Sequence, residues 1–167
     1  ILDFVGEIPM QALNGMFDEL YPNGMQWYWR AHFIKELTDD AIRENIKHGS
    51  KIPSMHSTTH LYPIDGTVHD VQSEDTAWAK RDARWSQVIV GVDPDSENAD
   101  KVTKWCKDYY DGLKPHAEGG AYVNFMMEEG ETRIKASYGD NYKRLAEIKA
   151  KYDPDNFFHV NQNIKPV

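Results

Sequence analysis

The chain has 167 residues and a formal net charge of −8, about one domain's worth and enough to bury a sizeable core. The acidic balance and the lack of a basic run argue against nucleic-acid and anionic-membrane partners. No apolar run approaches the ~18 residues of a membrane span, and Cys106 is the single cysteine, which excludes an intrachain disulfide framework and a cysteine-rich zinc site. No Asn-x-Ser/Thr sequon is present, which fits a reducing, cytoplasmic compartment. The sequence opens on Ile1, as expected of a piece of a longer protein or a processed product.

In chain order, Met10, Leu13, Met16, Phe17 and Leu20 are spaced for one helical face over 9–20, and Tyr21-Pro22-Asn23-Gly24 ends it in a turn. The aromatic-rich residues 25–34 read as a strand. On it Tyr28, Arg30 and His32 share one face, while Trp27, Trp29, Ala31 and Phe33 share the other. The tryptophan face is the natural core. The polar face is either a substrate-binding stripe, with Arg30 holding an anionic or carbonyl group, or a solvent-facing or helix-covered polar stripe. Thr38 is a good N-cap for a helix over 39–48 that ends before Gly49, with Asp39 and Asp40 in its first turn.

Residues 54–62 look extended, which puts His56, His60 and Tyr62 on one face. His56 and His60 would then lie about 13 Å apart, too far to share a metal ion, and no metal site is expected. His69 and Asp70 follow a turn and read as a structural or surface pair. Trp85 to Val92 is a strand rich in β-branched residues. Asp93-Pro94-Asp95-Ser96 opens a helix whose inner face carries Ala99, Val102, Trp105, Cys106, Tyr109 and Leu113. Cys106 is expected as a small buried hydrophobe. Gly119-Gly120 precedes a further strand over 121–126, on which Tyr122 and Asn124 share a face. Asp111, Glu128, Glu129 and Glu131 read as a solvated rim. A helix near 140–151 leads to an extended tail.

Strand, helix, strand, strand, helix, strand is the ferredoxin-like order. It predicts an α+β fold, an antiparallel sheet with helices on one face and a βαββαβ core, followed by a C-terminal helix and extended tail. The tail itself is unusual. Asp153-Pro154 stops the helix, Asp155-Asn156 closes a turn, and Phe157-Phe158 with Asn161, Gln162 and Asn163 looks built to dock on something.

Four ordered motifs carry a resemblance over roughly residues 24–166. They are Tyr28-Trp29-Arg30-Ala31-His32-Phe33 with Glu36 to Ile42; Asp75-Thr76-Ala77-Trp78 with Lys80 to Ala83; Gly119-Gly120-Ala121-Tyr122-Val123-Asn124-Phe125; and Tyr152-Asp153-Pro154-Asp155-Asn156-Phe157-Phe158 with Asn161-Gln162-Asn163-Ile164. Together they resemble the C-terminal region of berberine bridge enzyme-like FAD-linked oxidases, flavoproteins of the vanillyl-alcohol oxidase/p-cresol methylhydroxylase type. The resemblance implies a substrate-binding α+β domain over 1–138. It also implies a segment, 139–167, that docks on an FAD-binding domain outside this chain. FAD would be bound mainly by that other domain, because no Gly-rich dinucleotide fingerprint occurs here, and the isolated chain would be inactive. The implied reaction is hydride removal from an alcohol, sugar or secondary-metabolite carbon to flavin N5, with oxygen the usual reoxidant.

By the same resemblance Tyr122 matches the residue that takes the substrate's hydroxyl proton. His60 or Tyr62 assists it, and Asn161 and Asn163 lie on the cofactor side or satisfy backbone groups of the neighbouring domain. Asn124 joins Tyr28, Arg30 and His32 as a substrate-binding candidate. A tyrosine serves as a base only with a lowered pKa or within a proton relay, and Phe125 leaves a single phenol on this segment. Two other readings fit the residues: a ferredoxin-like dimeric binding module without flavin, and a catalytically inactive relative.

Overall fold

The computed structural model describes residues 5–167. A three-stranded antiparallel sheet organises it, in the order β1 (Gln26–Ile34), β3 (Trp85–Asp93), β2 (Thr58–Pro63). Trp29, Val90 and Thr58 stand in register across the sheet, as do Ala31, Val88 and His60. The alternation of side chains along each strand gives the two faces different work.

One face is helix-covered. α3 (Ala99–Leu113) lies on β1 and β3, and α2 (Asp39–Gly49) packs against α3. Trp105, Cys106, Tyr109 and Leu113 of α3 close on Ile89 and Tyr28. Cys106 is fully buried, as expected, with its thiol pushed up to about 12 by that burial. Thr38 caps α2 by accepting from the Ala41 N–H at 3.2 Å. A buried amide network fixes how α2, α3 and the sheet meet. Gln87 donates to Asn45 Oδ1 at 2.6 Å and to Thr59 Oγ1 at 3.0 Å, and the Tyr109 hydroxyl donates to the same Asn45 oxygen at 2.7 Å.

The α+β class, the antiparallel sheet and the order through α3 stand as expected, but the last strand does not form. Gly119 and Gly120 take φ values of 73° and 67°, in the left-handed region, and turn the chain away from the edge of β1. That edge is satisfied otherwise. Phe33 O accepts from Glu118 N at 3.0 Å, Ala31 O accepts from the Arg133 guanidinium at 2.9 Å, and Trp29 N donates to Met127 Sδ at 3.2 Å. With these groups paired, residues 121–126 have no ladder to join. They cross the open sheet face instead, through a 3-10 turn at Val123–Phe125, and lay Ala121, Phe125 and Met126 on Ala31 and Val88.

A short helix absent from the sequence-based expectation, α4 (Glu131–Tyr138), holds this segment. Ser137 Oγ accepts from Ala121 N at 3.0 Å. Gly120 lies so close that a Cβ there would fall 2.6 Å from the Ala136 carbonyl oxygen. Gly120→Ala is therefore expected to cost about 3 kcal/mol, of which ~1–2 comes from the left-handed backbone and the rest from the collision. A thermal melt checks this, and an unchanged midpoint would mean that α4 does not press on this turn.

The remaining elements are α1 (Met10–Gly15), shorter than the periodicity over 9–20 predicts, and α5 (Asn141–Tyr152), close to expectation. The apolar row of α1 and the turn after it is exposed, Met10 at 72% and Leu20 at 52%. Phe157, Phe158 and Val160 in the tail are about three-quarters exposed. Among the described residues no helix is long and apolar enough to cross a membrane.

Candidate functional site

The second sheet face carries the candidate site. His60 and Tyr62 lie two apart on β2 and project to the side on which 121–126 crosses, their rings stacked at 5.7 Å. Tyr62 stacks on Phe125 at 5.5 Å, and Phe125 meets Tyr122 edge-on at 5.2 Å. The row His60–Tyr62–Phe125–Tyr122 thus joins three of the expected site residues through Phe125. Asn124 completes it, its amide donating to the Tyr122 hydroxyl oxygen at 2.8 Å. Burial holds His60 below the usual imidazole range, so its ring stays neutral and one nitrogen remains a proton acceptor.

Tyr122 lines one recess, and its partner Asn124 lines a second. One, of about 190 Å³, is apolar and is lined by Phe33, Trp78, Ala121 and Tyr122. The other, of about 410 Å³, is lined by Trp29, Asn124, Met126, Tyr138 and the tail at Val160 to Gln162. The tail is held there by Gln162, which donates to the carbonyls of Met126 at 3.0 Å and Met127 at 3.2 Å, and by Lys165, paired with Glu131 at 2.9 Å. Asn161, at φ 59°, presents an exposed side chain, whereas Asn163 leaves its Oδ1 buried and without a partner among the described residues.

Tyr28, Arg30 and His32 do not join this cluster. They lie on the opposite face under α3, so the stripe is the helix-covered seam. His32 is 1% exposed, stacks on Tyr110 at 4.1 Å and places Nε2 3.0 Å from the Tyr110 carbonyl. Arg30 pairs with Glu129 at 2.7 Å, and Arg133 joins the same carboxylate oxygen at 3.1 Å. Glu129 therefore leaves the expected solvated rim: its side chain is 2% exposed, because two guanidiniums compensate its desolvation. His56 also separates from His60. The strand begins at Thr58, and His56 sits in the preceding turn with Nδ1 3.0 Å from the Leu20 carbonyl. His69 reaches the carbonyls of Arg81 and Ile64, at 2.6 and 2.9 Å.

Sequence reasoning missed Trp29 and Tyr138 as lining residues, the second because it did not find α4. A signal was present: Gly130 and Gly139 bracket the helix at both ends with positive φ, and Glu129 and Arg133 stand at i,i+4 spacing.

Residues 121–165, which span Tyr122, Asn124, Phe125 and the tail amides, match the family model described as berberine and berberine like. An FAD-linked oxidoreductase of Dictyostelium discoideum is 29% identical over 169 residues, which cover 100% of this chain and 37% of that protein. Berberine bridge enzyme-like 22 of Arabidopsis thaliana is 32% identical over 152 residues, 81% of this chain and 26% of its own length. Among solved structures, a glycopeptide hexose oxidase complexed with teicoplanin superposes with a TM-score of 0.73 at 23% identity, covering 84% of this chain and 32% of that one. Berberine bridge enzyme from Eschscholzia californica gives 0.72 at 20% identity over 86% and 33%. These two likenesses establish a shared fold. The chain spans about a third of the length of the curated relatives it matches. The matched segment, the relatives and the shared fold together support a berberine bridge enzyme-like fragment, similar to FAD-linked oxidoreductases over about a third of their length.

Proposed function

We propose that this chain is the substrate-binding part of an FAD-dependent oxidoreductase that oxidises a carbinol carbon of a small molecule. The observation that carries the reading is the Asn124–Tyr122 hydrogen bond, 2.8 Å long, at the end of an aromatic row on the open sheet face. Tyr122 is the proton acceptor for the substrate hydroxyl. The phenol's own proton leaves to solvent, to which Tyr122 is exposed, and the Asn124 amide stabilises the negative charge left on the oxygen until the substrate proton arrives. His60 and Tyr62 act through the stack, holding the Phe125 and Tyr122 rings in place.

FAD, when bound, supplies the hydride acceptor, and oxygen is the proposed reoxidant. The residues present fit one edge of the cofactor. Asn161 offers an exposed carboxamide and Asn163 an acceptor oxygen still lacking a donor, whereas the phosphates require donors from elsewhere. Residues 139–167 dock on the FAD-binding part of the same protein. The exposed Phe157, Phe158 and Val160 supply the apolar area for that contact. The isolated chain then offers one wall of a site and turns nothing over.

A visible spectrum of the protein made from its complete reading frame tests this. The bands of oxidised flavin are expected, bleaching on anaerobic addition of substrate, and colour kept in an acid pellet would mark covalent attachment. A protein that stays colourless after refolding with FAD would overturn the reading.

A further inference from the structure

The tail inverts the usual placement of charge and apolar surface. The side chains of Lys149 and Asp153 are 16% and 13% exposed, whereas Phe157 and Phe158 stand about three-quarters in water. The hydrogen bonds give the reason. Asp153 follows the last turn of α5 and points its carboxylate at the chain ahead. Its Oδ1 accepts from the Phe157 N–H at 2.8 Å and its Oδ2 from the Phe158 N–H at 3.0 Å. Lys149, one turn back on α5, donates to the same Oδ2 and to the Phe158 carbonyl. Asn156 takes φ 52°, a left-handed value that asparagine adopts more readily than most residues, and its N–H reaches the Asp153 carbonyl at 3.0 Å. One ion pair thus fixes both phenylalanine amides, and the two rings meet edge-on at 5.1 Å. Ordering this backbone costs conformational entropy, and with both rings largely in water little apolar burial within the chain offsets it. A segment held in its bound shape beforehand docks at a lower entropic cost.

We infer that Lys149 and Asp153 form a latch that pre-sets Phe157 and Phe158 as a rigid aromatic anchor, and that the anchor seats in an apolar slot of the FAD-binding part of the same protein. The inference rests on the proposed docking of residues 139–167 and names the groups that prepare it. The occupant follows from coverage. The segment matched by the family model, 121–165, contains both latch and anchor, and the relatives extend far beyond it, this chain covering 37% of one and 30% of another. Lys149 and Asp153 are positioning residues, since they hold the tail backbone and leave the slot to the rings. The Lys149 hydrogen bond holds the Asp153 carboxyl below its ordinary range, which keeps the latch charged at neutral pH. Val160 to Gln162 follow the anchor directly and wall the recess that Asn124 lines, so an anchor seated out of place would misplace that wall.

Native-state proteolysis of the complete protein tests this. Chymotrypsin cuts after aromatic residues, and cleavage after Phe157 and Phe158 is followed by mass spectrometry. Wild type is expected to be cut there at least tenfold more slowly than a peptide of residues 152–160. Lys149→Met and Asp153→Asn, both close in size to what they replace, should each raise the rate in the complete protein roughly tenfold. Thermal midpoints separate a latch from a merely local stabiliser. Phe157→Ala with Phe158→Ala should lower the midpoint of the complete protein, and adding Asp153→Asn should lower it no further. Wild type cut as fast as the peptide, single variants cut as slowly as wild type, or additive midpoint shifts would each overturn the inference. Protection that rises with protein concentration would seat the anchor on a second copy and overturn the slot within the same protein. A colourless protein that still shows the expected protection and variant pattern would uphold the latch and its slot while sinking the flavin reading.

Discussion

Replacing Tyr122 with phenylalanine in the complete protein is expected to slow flavin reduction by roughly 10²–10⁴-fold, the usual worth of a positioned general base. The substitution is unusually clean. Tyr122 is 39% exposed, and its ring contact is an edge-on meeting with Phe125 at 5.2 Å, which phenylalanine keeps. The hydroxyl's one partner among the described residues is Asn124, itself exposed, so no buried polar group is stranded. Loss of rate with an unchanged melting temperature and flavin spectrum would therefore report on proton transfer rather than folding. Asn124→Ala removes the donor to the phenol oxygen and is expected to cost roughly 10- to 150-fold, since one hydrogen bond to a developing charge is worth about 1.5–3 kcal/mol. Stopped-flow reduction within threefold of wild type in Tyr122→Phe would end the assignment of Tyr122 as base.

The pair at the centre of that prediction was legible in the sequence for a reason that the structure replaces. Tyr122 and Asn124 lie two apart, which on a strand would set them side by side. In the molecule a 3-10 turn folds Asn124 back onto Tyr122, and the two meet all the same. β1, β3 and α3 lie within a few residues of expectation because each has a whole face to bury, and α2 and α5 do so on their end signals, the Thr38 cap and the Asp153-Pro154 stop. What resisted was set by tertiary contacts. Whether 121–126 pairs with β1 depends on Glu118 and Arg133 reaching the Phe33 and Ala31 carbonyls first, and no local pattern encodes that competition. The alternation of β1 was read correctly, yet which of its faces would meet α3 was not. Both faces carry aromatic residues, and only the depth of the α3 stripe of Trp105, Tyr109 and Leu113 decides it. The cost of that choice is visible in the seam, where a histidine and an Arg–Glu–Arg group had to be buried and paired.

That seam should make the chain acid-sensitive. His32 is buried against Tyr110, and burial, reinforced by the nearby Arg133 and Lys114 charges, holds its imidazole at about 4 against an ordinary 6.5; the Tyr110 carbonyl opposes the shift only in part. As the pH falls below 6.5 the unfolded chain takes up a proton that the folded chain refuses until about 4. Stability from this site is thus complete above pH 6.5 and is lost progressively down to pH 4, amounting to about 3 kcal/mol. His32→Phe isolates the effect. It keeps a ring stacked on Tyr110, and the Tyr110 carbonyl retains the Lys114 N–H as donor, so the variant gives up about 1 kcal/mol or less at pH 8. Urea midpoints measured from pH 8 to pH 4 should fall more steeply for wild type than for His32→Phe, with most of the divergence below pH 6.5. Parallel curves would mean that His32 takes up its proton in the folded chain as readily as in the unfolded one, and that the stacked seam opens rather than excludes the charge. The effect does not depend on flavin or substrate, so it probes how α3 closes on β1 separately from anything that Tyr122 does on the other face of the sheet.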